Sequence, residues 1–191
     1  MVACKDGDTR RNFLTIVSVV SLDTAARAIA NPALAQPENE RPKEGDLLVS
    51  IHSEAPVPLQ PKDIPSGGPP VVAWAMDHIG NVVRKGSRLN KVLLLRLDPA
   101  TLVGVTKERA ADGVVAYSAI CPHAGCDVDA WVDDQKILEC SCHYSRYNPR
   151  NGAAVLDGPA PRALPALPLK IVDGNLAVAK PFTARVGVIP T

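Results

Sequence analysis

Aromatic side chains and net charge are both scarce in this chain of 191 residues. Only 4% of the residues are aromatic, and 21 basic against 20 acidic residues leave a net charge of +1. A near-neutral chain lacks the positive field with which proteins attract nucleic acid. The sequence also has no internal repeat, no P-loop and no Gly-x-Gly-x-x-Gly fingerprint. The composition therefore argues against a nucleic-acid-binding protein and gives no sign of nucleotide-dependent chemistry.

The first 35 residues have the pattern of an export signal. Arg10 and Arg11 stand before Phe-Leu and an apolar run over residues 13–22, and Ala33-Leu34-Ala35 offers a cleavage site. This arrangement is typical of a bacterial twin-arginine signal, which exports proteins already folded. It predicts a periplasmic protein in which a disulfide would persist. An ordinary basic N-terminus with two chance arginines is the alternative.

The leader is also the one candidate for a membrane anchor. A spanning helix needs about 20 mostly apolar residues, and Asp23 and Arg27 interrupt the run here. We therefore expect the leader to be cleaved, with membrane association through residues 10–35 as the alternative. Cys4 lies in the same leader and is expected to be removed or inert.

The rest of the chain is rich in proline and in short apolar segments separated by turn residues. Residues 36–69 are interpreted as an extended Pro-rich segment with one strand near 46–52. Further strands are predicted over residues 71–76, 91–97, 114–120, 137–138, 153–156, 169–172 and 176–179. Residues 101–111 are ambiguous between loop and a short helical turn. Short strands at close spacing predict an all-β fold, specifically an antiparallel β sandwich.

Four of the five cysteines and two of the four histidines lie in two short blocks, Cys121-Pro-His123-Ala-Gly-Cys126 and Cys140-Ser-Cys142-His143. Written as ligands, the first block reads Cys-x-His and the second reads Cys-x-x-His. Sixteen residues separate His123 from Cys140. Mixed pairs of this kind suit an iron–sulfur cluster with one iron held by two thiolates and the other by two imidazoles. The two remaining cysteines, one in each block, could tie the two loops together.

Two other sites compete for the same residues. A zinc site also uses Cys and His at short spacing, but Cys-x-His is shorter than the usual zinc knuckle, and zinc leaves two cysteines unexplained. A secreted domain with two disulfides leaves the matched positions of the histidines unexplained. His52 and His78, outside the blocks, are expected to be surface residues.

Together with the Tyr-Ser-Arg-Tyr that follows the second block, the two blocks resemble those of the Rieske iron–sulfur proteins. They look closest to the disulfide-bearing, high-potential branch of quinol:cytochrome c reductases and arsenite oxidase small subunits. The resemblance covers residues 70–185. It implies a Rieske-type antiparallel β sandwich with a small inserted cluster-binding subdomain over residues 119–161, carrying one [2Fe–2S] cluster.

The resemblance also implies a role for each site residue. Cys121 and Cys140 would bind one iron and His123 and His143 the other, while Cys126 and Cys142 would form a disulfide. The hydroxyls of Ser145 and Tyr147 would donate to cluster and cysteine sulfurs and so raise the potential. Residues Gly158, Pro159 and Pro161 match the proline loop that covers a further side of the cluster.

Two positions depart from the family pattern. Tyr144 stands where the family often has glycine, and Ala124 stands where quinol-oxidising members often have a larger apolar residue. Both lie beside the imidazoles, where a partner docks, so they put quinol oxidation in doubt.

We therefore expect a periplasmic electron-transfer subunit of a respiratory oxidoreductase rather than a catalyst alone. Its redox partner would be cytochrome c, cytochrome b or a molybdenum subunit. The alternative is the mobile Rieske subunit of a membrane quinol:cytochrome c reductase. A cytoplasmic ring-hydroxylating oxygenase ferredoxin and a non-redox binding module are further alternatives; the paired cysteines and the leader argue against the ferredoxin.

Overall fold

The computed structural model describes residues 36–189. The predicted export signal, its cleavage site and Cys4 lie outside the described residues. Within the described part, no helix has the length and apolar character needed to span a bilayer.

The larger of two sheets is antiparallel and has seven strands: β1 (Leu47–Ser50), β2 (Val71–Asp77), β3 (Val82–Val83), β4 (Val92–Arg96), β5 (Val114–Ser118), β10 (Leu169–Val172) and β11 (Asn175–Val178). Its order is β10-β11-β1-β2-β4-β5, and β3 pairs with β2. The strand β1, which the sequence places in the Pro-rich segment, pairs with both β11 and β2. The main sheet therefore includes chain that precedes residue 70.

A second, four-stranded sheet is inserted between β5 and β10. It consists of β6 (Ala130–Val132), β7 (Ile137–Cys140), β8 (Ser145–Asn148) and β9 (Ala154–Asp157), paired in chain order. Helical structure among the described residues is limited to α1 (Val105–Arg109) and four single 3₁₀ turns. The expected all-β, antiparallel fold is confirmed. The strands β6 and β8 were not predicted; β8 has the sequence Ser-Arg-Tyr-Asn, in which no apolar run marks a strand.

The buried strand β4 explains how the two cores are arranged. Leu93 and Leu95 belong to one apolar cluster and Val92 and Leu94 to another, so side chains are buried on both faces of β4. Alternate residues of a strand point to opposite faces, and an unbroken apolar run is what a strand covered on both sides requires. The first cluster also contains Cys121, Cys140 and Tyr147, and it joins the two sheets beneath the candidate site.

A buried ion pair attaches the Pro-rich segment to the main sheet. The guanidinium of Arg84, only 2% exposed, donates from Nε and Nη2 to the two oxygens of Asp46, at 2.6 and 3.0 Å. Its Nη1 also donates to Glu40 Oε2 at 2.7 Å and to the Pro37 carbonyl at 3.1 Å. Because four acceptors surround one buried cation, residues 37–46 are held against the edge of the sheet.

Candidate metal centre

The two Cys/His blocks form loops with the same backbone turn. In the first loop (residues 121–127) the Gly125 N–H donates to the Cys121 carbonyl at 3.0 Å, and in the second loop (residues 140–145) the Tyr144 N–H donates to the Cys140 carbonyl at 2.9 Å. The first loop follows β5, and the second connects β7 to β8. Each turn thus places one cysteine at its start and presents a histidine two or three residues later.

The four residues that the sequence proposes as ligands lie together. Cys121 and Cys140 are free, buried thiols whose side chains contact each other. The imidazole rings of His123 and His143 have centroids 4.7 Å apart and are perpendicular. The two loops therefore converge as one pair of sulfurs and one pair of rings.

Two observations test whether these residues suit a metal centre. Among the described residues the buried Nδ1 of His123 has no hydrogen-bond partner, and a buried polar atom normally has one. Burial raises the pKa of the Cys140 thiol, and the adjacent Cys121 raises it further, although the backbone N–H of Cys142 acts the other way. A bound cation would supply the partner that the imidazole lacks and would stabilise both thiolates. The residues therefore fit an iron–sulfur group.

The remaining two cysteines form the Cys126–Cys142 disulfide, which joins the two loops with a Cα–Cα distance of 6.5 Å. The sulfur of Cys140 lies within 4.8 Å of both sulfurs of this bond. Three clustered sulfurs resemble a metal site, but the disulfide sulfurs carry no thiolate and thiolates are the form that binds metal. The expected disulfide is thus present, and among residues 36–189 it leaves Cys121 and Cys140 as the two free thiols.

The strand β8 brings two hydroxyls beneath the sulfurs. The phenolic oxygen of Tyr147, a fully buried residue, lies 3.1 Å from Cys121 Sγ. Burial raises the pKa of Tyr147, and the contact with Cys121 raises it further, so the phenol stays protonated. The Oγ of Ser145, which is also buried, accepts a hydrogen bond from the Ala160 N–H at 3.1 Å. That contact uses a lone pair of Oγ and not the serine proton, and the Ser145 hydroxyl also contacts the Tyr147 phenol.

The proline loop, residues 158–161, is packed tightly against the second loop. Gly158 has a φ of +89°, and a Cβ there would lie 2.5 Å from Ser145 Cα and 2.9 Å from the Tyr144 carbonyl. Glycine is therefore required both by the backbone conformation and by the close approach. Among the residues expected to surround the cluster, Gly158 is the position that cannot accommodate a side chain.

Charged residues that the sequence did not single out hold both loops. Arg88 donates to the Gly125 carbonyl and to Asp127, each at 2.7 Å, and Lys91 Nζ donates to Asp127 at 2.7 Å. In the second loop Asp129 accepts from the Ser141 N–H and hydroxyl, at 3.1 and 2.8 Å. No sequence signal separates these residues from ordinary surface charges, because their partners are distant in the chain.

The imidazole edge, defined by His123 and His143, is open to solvent on the side of the second loop. His143 is exposed and Tyr144 is 66% exposed. Tyr144 has a φ of +57°, a conformation that favours glycine. This explains why a glycine would suit that position; the tyrosine side chain that stands there is exposed to solvent. Ala124 is also exposed, and His52 and His78 are surface residues as expected.

Comparison with known proteins agrees with this geometry. A profile of the Rieske [2Fe-2S] domain matches residues 80–168. The cytochrome bc1 complex Rieske iron-sulfur subunit of Streptomyces lividans is 30% identical over 154 residues, covering 75% of this chain and 85% of that protein. The putative respiratory nitrate reductase subunit Rieske of Haloferax mediterranei is 38% identical over 106 residues, covering 54% and 47%.

Similarity to solved structures is weaker. The soluble domain of Rieske protein II from Sulfolobus acidocaldarius aligns over 50% of this chain and 66% of that chain, with 22% identity and a TM-score of 0.39. The family assignment therefore rests on the sequence matches. The chain spans less than half of the Haloferax relative and 41% of the Streptomyces coelicolor bc1 Rieske subunit. Since it covers most of the Streptomyces lividans protein at 30% identity, the chain belongs to the Rieske iron–sulfur family and carries one [2Fe–2S] cluster.

Proposed function

We propose that this protein is the periplasmic electron-transfer subunit of a respiratory oxidoreductase, with Cys121, Cys140, His123 and His143 as the cluster ligands. The observation that carries the proposal is the convergence of two buried thiols and two imidazoles at the tips of two equivalent loops. When bound there, the cluster supplies a one-electron redox centre. The chain supplies the ligands, the burial of the two thiols, and the solvent-exposed imidazole edge.

The ligand set divides by burial. The buried Cys121 and Cys140 would hold the inner iron, and His123 and His143 the outer iron. The Nδ1 of His123, which is buried and has no hydrogen-bond partner among the described residues, is the nitrogen proposed to bind the outer iron. Neutral imidazoles in place of two thiolates make the centre less negative, which raises its potential to a value between about −150 and +300 mV.

The hydroxyls of β8 are proposed to raise the potential further. As a ligand, Cys121 is a thiolate without a proton, so the hydrogen bond of 3.1 Å must be donated by Tyr147. A donor stabilises sulfur more when the centre is reduced and more negative. The Ser145 hydroxyl would have the same effect by donating its proton to a sulfur of the bound cluster.

The exposed imidazole edge is the proposed route of the electron. His143 reaches solvent while the thiols stay buried, so a partner docking on Tyr144 and Ala124 would contact the outer iron's ligands. A ring N–H at this edge can also release a proton on oxidation.

The relatives support a subunit of a larger complex, since one is named for the cytochrome bc1 complex and another for a respiratory nitrate reductase. We favour a soluble or peripheral subunit, with cytochrome c or a molybdenum subunit as redox partner, because a bulky tyrosine occupies the docking edge. The second candidate is the mobile subunit of a quinol:cytochrome c reductase with a retained anchor over residues 10–35, whose partners would be cytochrome b and quinol.

One purification from the native cell distinguishes these candidates. We expect a C-terminally tagged chain to be recovered from the periplasm together with a molybdenum subunit or cytochrome c. Its mass should correspond to a mature chain whose first residue is Gln36. Recovery from the membrane with an intact leader and with cytochromes b and c would favour the second candidate. Recovery from the cytoplasm with an intact leader would contradict both.

A further inference from the structure

A cleft of about 320 Å³ lies outside the candidate metal centre, between the Pro-rich segment and the C-terminal tail. The first wall is formed by Arg41 and Pro42, and the second by side chains of the tail, residues 181–189, between Pro181 and Val186. Nothing in the proposed electron-transfer role uses this cleft.

Two arginines, Arg41 and Arg185, line the cleft. Within residues 36–189, no carboxylate lies within ion-pair distance of Arg41 or Arg185. Among the described residues, the hydrogen bond that Arg41 donates goes to the neutral Asn90 Oδ1, at 3.1 Å. Burial lowers the pKa of Arg41, and the charge of Arg185 lowers it further. By contrast, Arg84 and Arg88 each have a carboxylate partner.

The floor of the cleft is apolar. Pro42 and Val186 are buried, and Phe182 is half-buried against the second core cluster. Two guanidiniums beside an apolar floor fit a carboxylate that is attached to an apolar group. Guanidinium groups bind carboxylates through paired hydrogen bonds, and the floor would cover the adjoining apolar surface.

The wall of the cleft is connected to the proline loop and to the start of the first loop. Arg162, which follows the proline loop, donates from Nη2 to the carbonyls of Arg185 and Gly187, at 2.7 and 2.6 Å. Gly187 in turn packs near Ile120, the residue before Cys121. A molecule bound in the cleft would therefore contact a segment that is fixed to the base of the metal centre.

We propose that this cleft docks an acidic segment of a partner protein in which a Glu or Asp stands beside a large apolar residue. Charge complementarity selects an acidic occupant, and the concave apolar floor selects a side chain rather than a flat surface. Membrane association through headgroups typically uses clusters of about four to eight basic residues, whereas two line this cleft. The surface would hold a partner while the imidazole edge exchanges the electron.

The test uses the full holoprotein and an acetylated, amidated hexapeptide with a central Phe-Glu-Leu, at low ionic strength. Binding is followed by NMR chemical-shift titration. We expect the R41Q/R185Q double variant to bind about tenfold more weakly, and the K62Q/K107Q variant, which loses the same charge elsewhere, to change by less than about twofold. A Phe-Gln-Leu peptide should bind wild type weakly and should not distinguish the variants.

Four results would overturn the proposal. The first is that the Glu peptide does not bind wild type, and the second is that it binds wild type and the arginine variant equally. The third is that the lysine control loses as much affinity as the arginine variant, and the fourth is that wild type binds the Gln peptide as tightly as the Glu peptide.

Anionic phosphatidylserine vesicles provide a separate test. Vesicle binding that depends on Arg41 and Arg185, without peptide binding, would assign the cleft to a membrane surface. The potential and spectrum of the cluster do not enter either readout, so failure here leaves the electron-transfer proposal intact.

Discussion

The hydroxyl of Tyr147 is the residue-scale contact with the most direct consequence for redox chemistry. It lies 3.1 Å from Cys121 Sγ in a fully buried setting, where hydrogen bonds are not weakened by competition with water. A hydrogen bond donated to a ligand sulfur stabilises the reduced centre more than the oxidised one, because the reduced centre is more negative. Its removal should therefore change the potential without changing the fold.

We predict that Tyr147→Phe lowers the midpoint potential by about 40 mV, because a hydrogen bond contributes about 1 kcal/mol and 59 mV corresponds to a tenfold change for one electron. Tyr144→Phe, which alters an exposed hydroxyl beside the site, is the matched control and should leave the potential unchanged. Protein-film voltammetry on both variants measures this. A potential in Tyr147→Phe equal to wild type would remove the tuning role.

Gly158 makes a residue-scale requirement of a different kind, since a side chain there would overlap Ser145. We predict that Gly158→Ala costs about 2 kcal/mol of stability and lowers the iron content per chain, because the positive φ and the overlap add. Gly45→Ala is the control: it has the same φ of +89° and no atom within 4 Å of the new Cβ. Equal loss of stability in both variants would show that only the backbone conformation matters.

At the scale of elements, the ionised carboxylate of Asp127 holds the first loop through its contacts with two cations, Lys91 and Arg88. Burial raises the pKa of Asp127, but hydrogen bonds and charge from Lys91 and Arg88 outweigh burial, and the pKa lies below its ordinary value. The ionised form is therefore favoured by folding. Its stabilisation is complete above the unfolded pKa of about 3.9 and is lost as the pH falls through the lower folded pKa.

We predict that Asp127→Asn lowers the melting temperature at pH 7 by about 3 °C, as expected for roughly 1 kcal/mol from a half-exposed ion pair. The difference from wild type should shrink as the pH falls below about 4, because Asp127 is protonated there in the unfolded chain and only at a lower pH in the folded one. Thermal unfolding followed by circular dichroism between pH 7 and pH 3 gives both values. Asp134→Asn, which removes an exposed carboxylate, should have little effect, and a difference at pH 3 as large as that at pH 7 would contradict the mechanism.

At the scale of the whole molecule, the Arg84–Asp46 pair joins chain from the Pro-rich segment to the main sheet. Both side chains are almost fully buried, at 2% and 4% exposed. Removing one partner would leave the other charge buried and unpaired. Stability of the whole fold should therefore depend on a contact far from the metal centre in sequence.

We predict that Arg84→Met destabilises the protein by about 3–5 kcal/mol, and that the double variant Arg84→Met/Asp46→Leu recovers much of this loss because no buried charge remains. Lys85→Met, on the exposed neighbour, is the control. Urea unfolding gives the free energies. A double variant as unstable as the single one would show that the contacts to Pro37 and Glu40 matter more than the pair.

How much the sequence predicts differs between strands and contacts. Apolar runs such as residues 92–95 mark buried strands, and turn residues such as Asp173-Gly174 mark a hairpin, so most strands follow from local pattern. The strand β8 does not, because its Ser-Arg-Tyr-Asn sequence is polar and its burial comes from packing against the first core cluster. The sequence also placed the chain before residue 70 outside the main domain, since nothing local shows that β1 pairs with β11.

The metal centre divides in the same way. Ligand spacing is a local property and identifies the four ligand candidates and the two remaining cysteines. The support given by Arg88, Asp127 and Asp129 is not local, because each contact joins residues 12 to 39 positions apart. The cleft lined by Arg41 and Arg185 is likewise visible only once the tail and the Pro-rich segment are brought together.

The ligand assignment is the central claim, and pulsed electron paramagnetic resonance of the reduced holoprotein tests it most directly. With ¹⁵N-labelled histidine, we expect one cluster per chain with hyperfine couplings to two histidine nitrogens. In the His143→Cys variant, the cluster that still assembles should show one of these two couplings and not the other. A cluster without nitrogen coupling, or a protein that binds zinc in its place, would contradict the assignment.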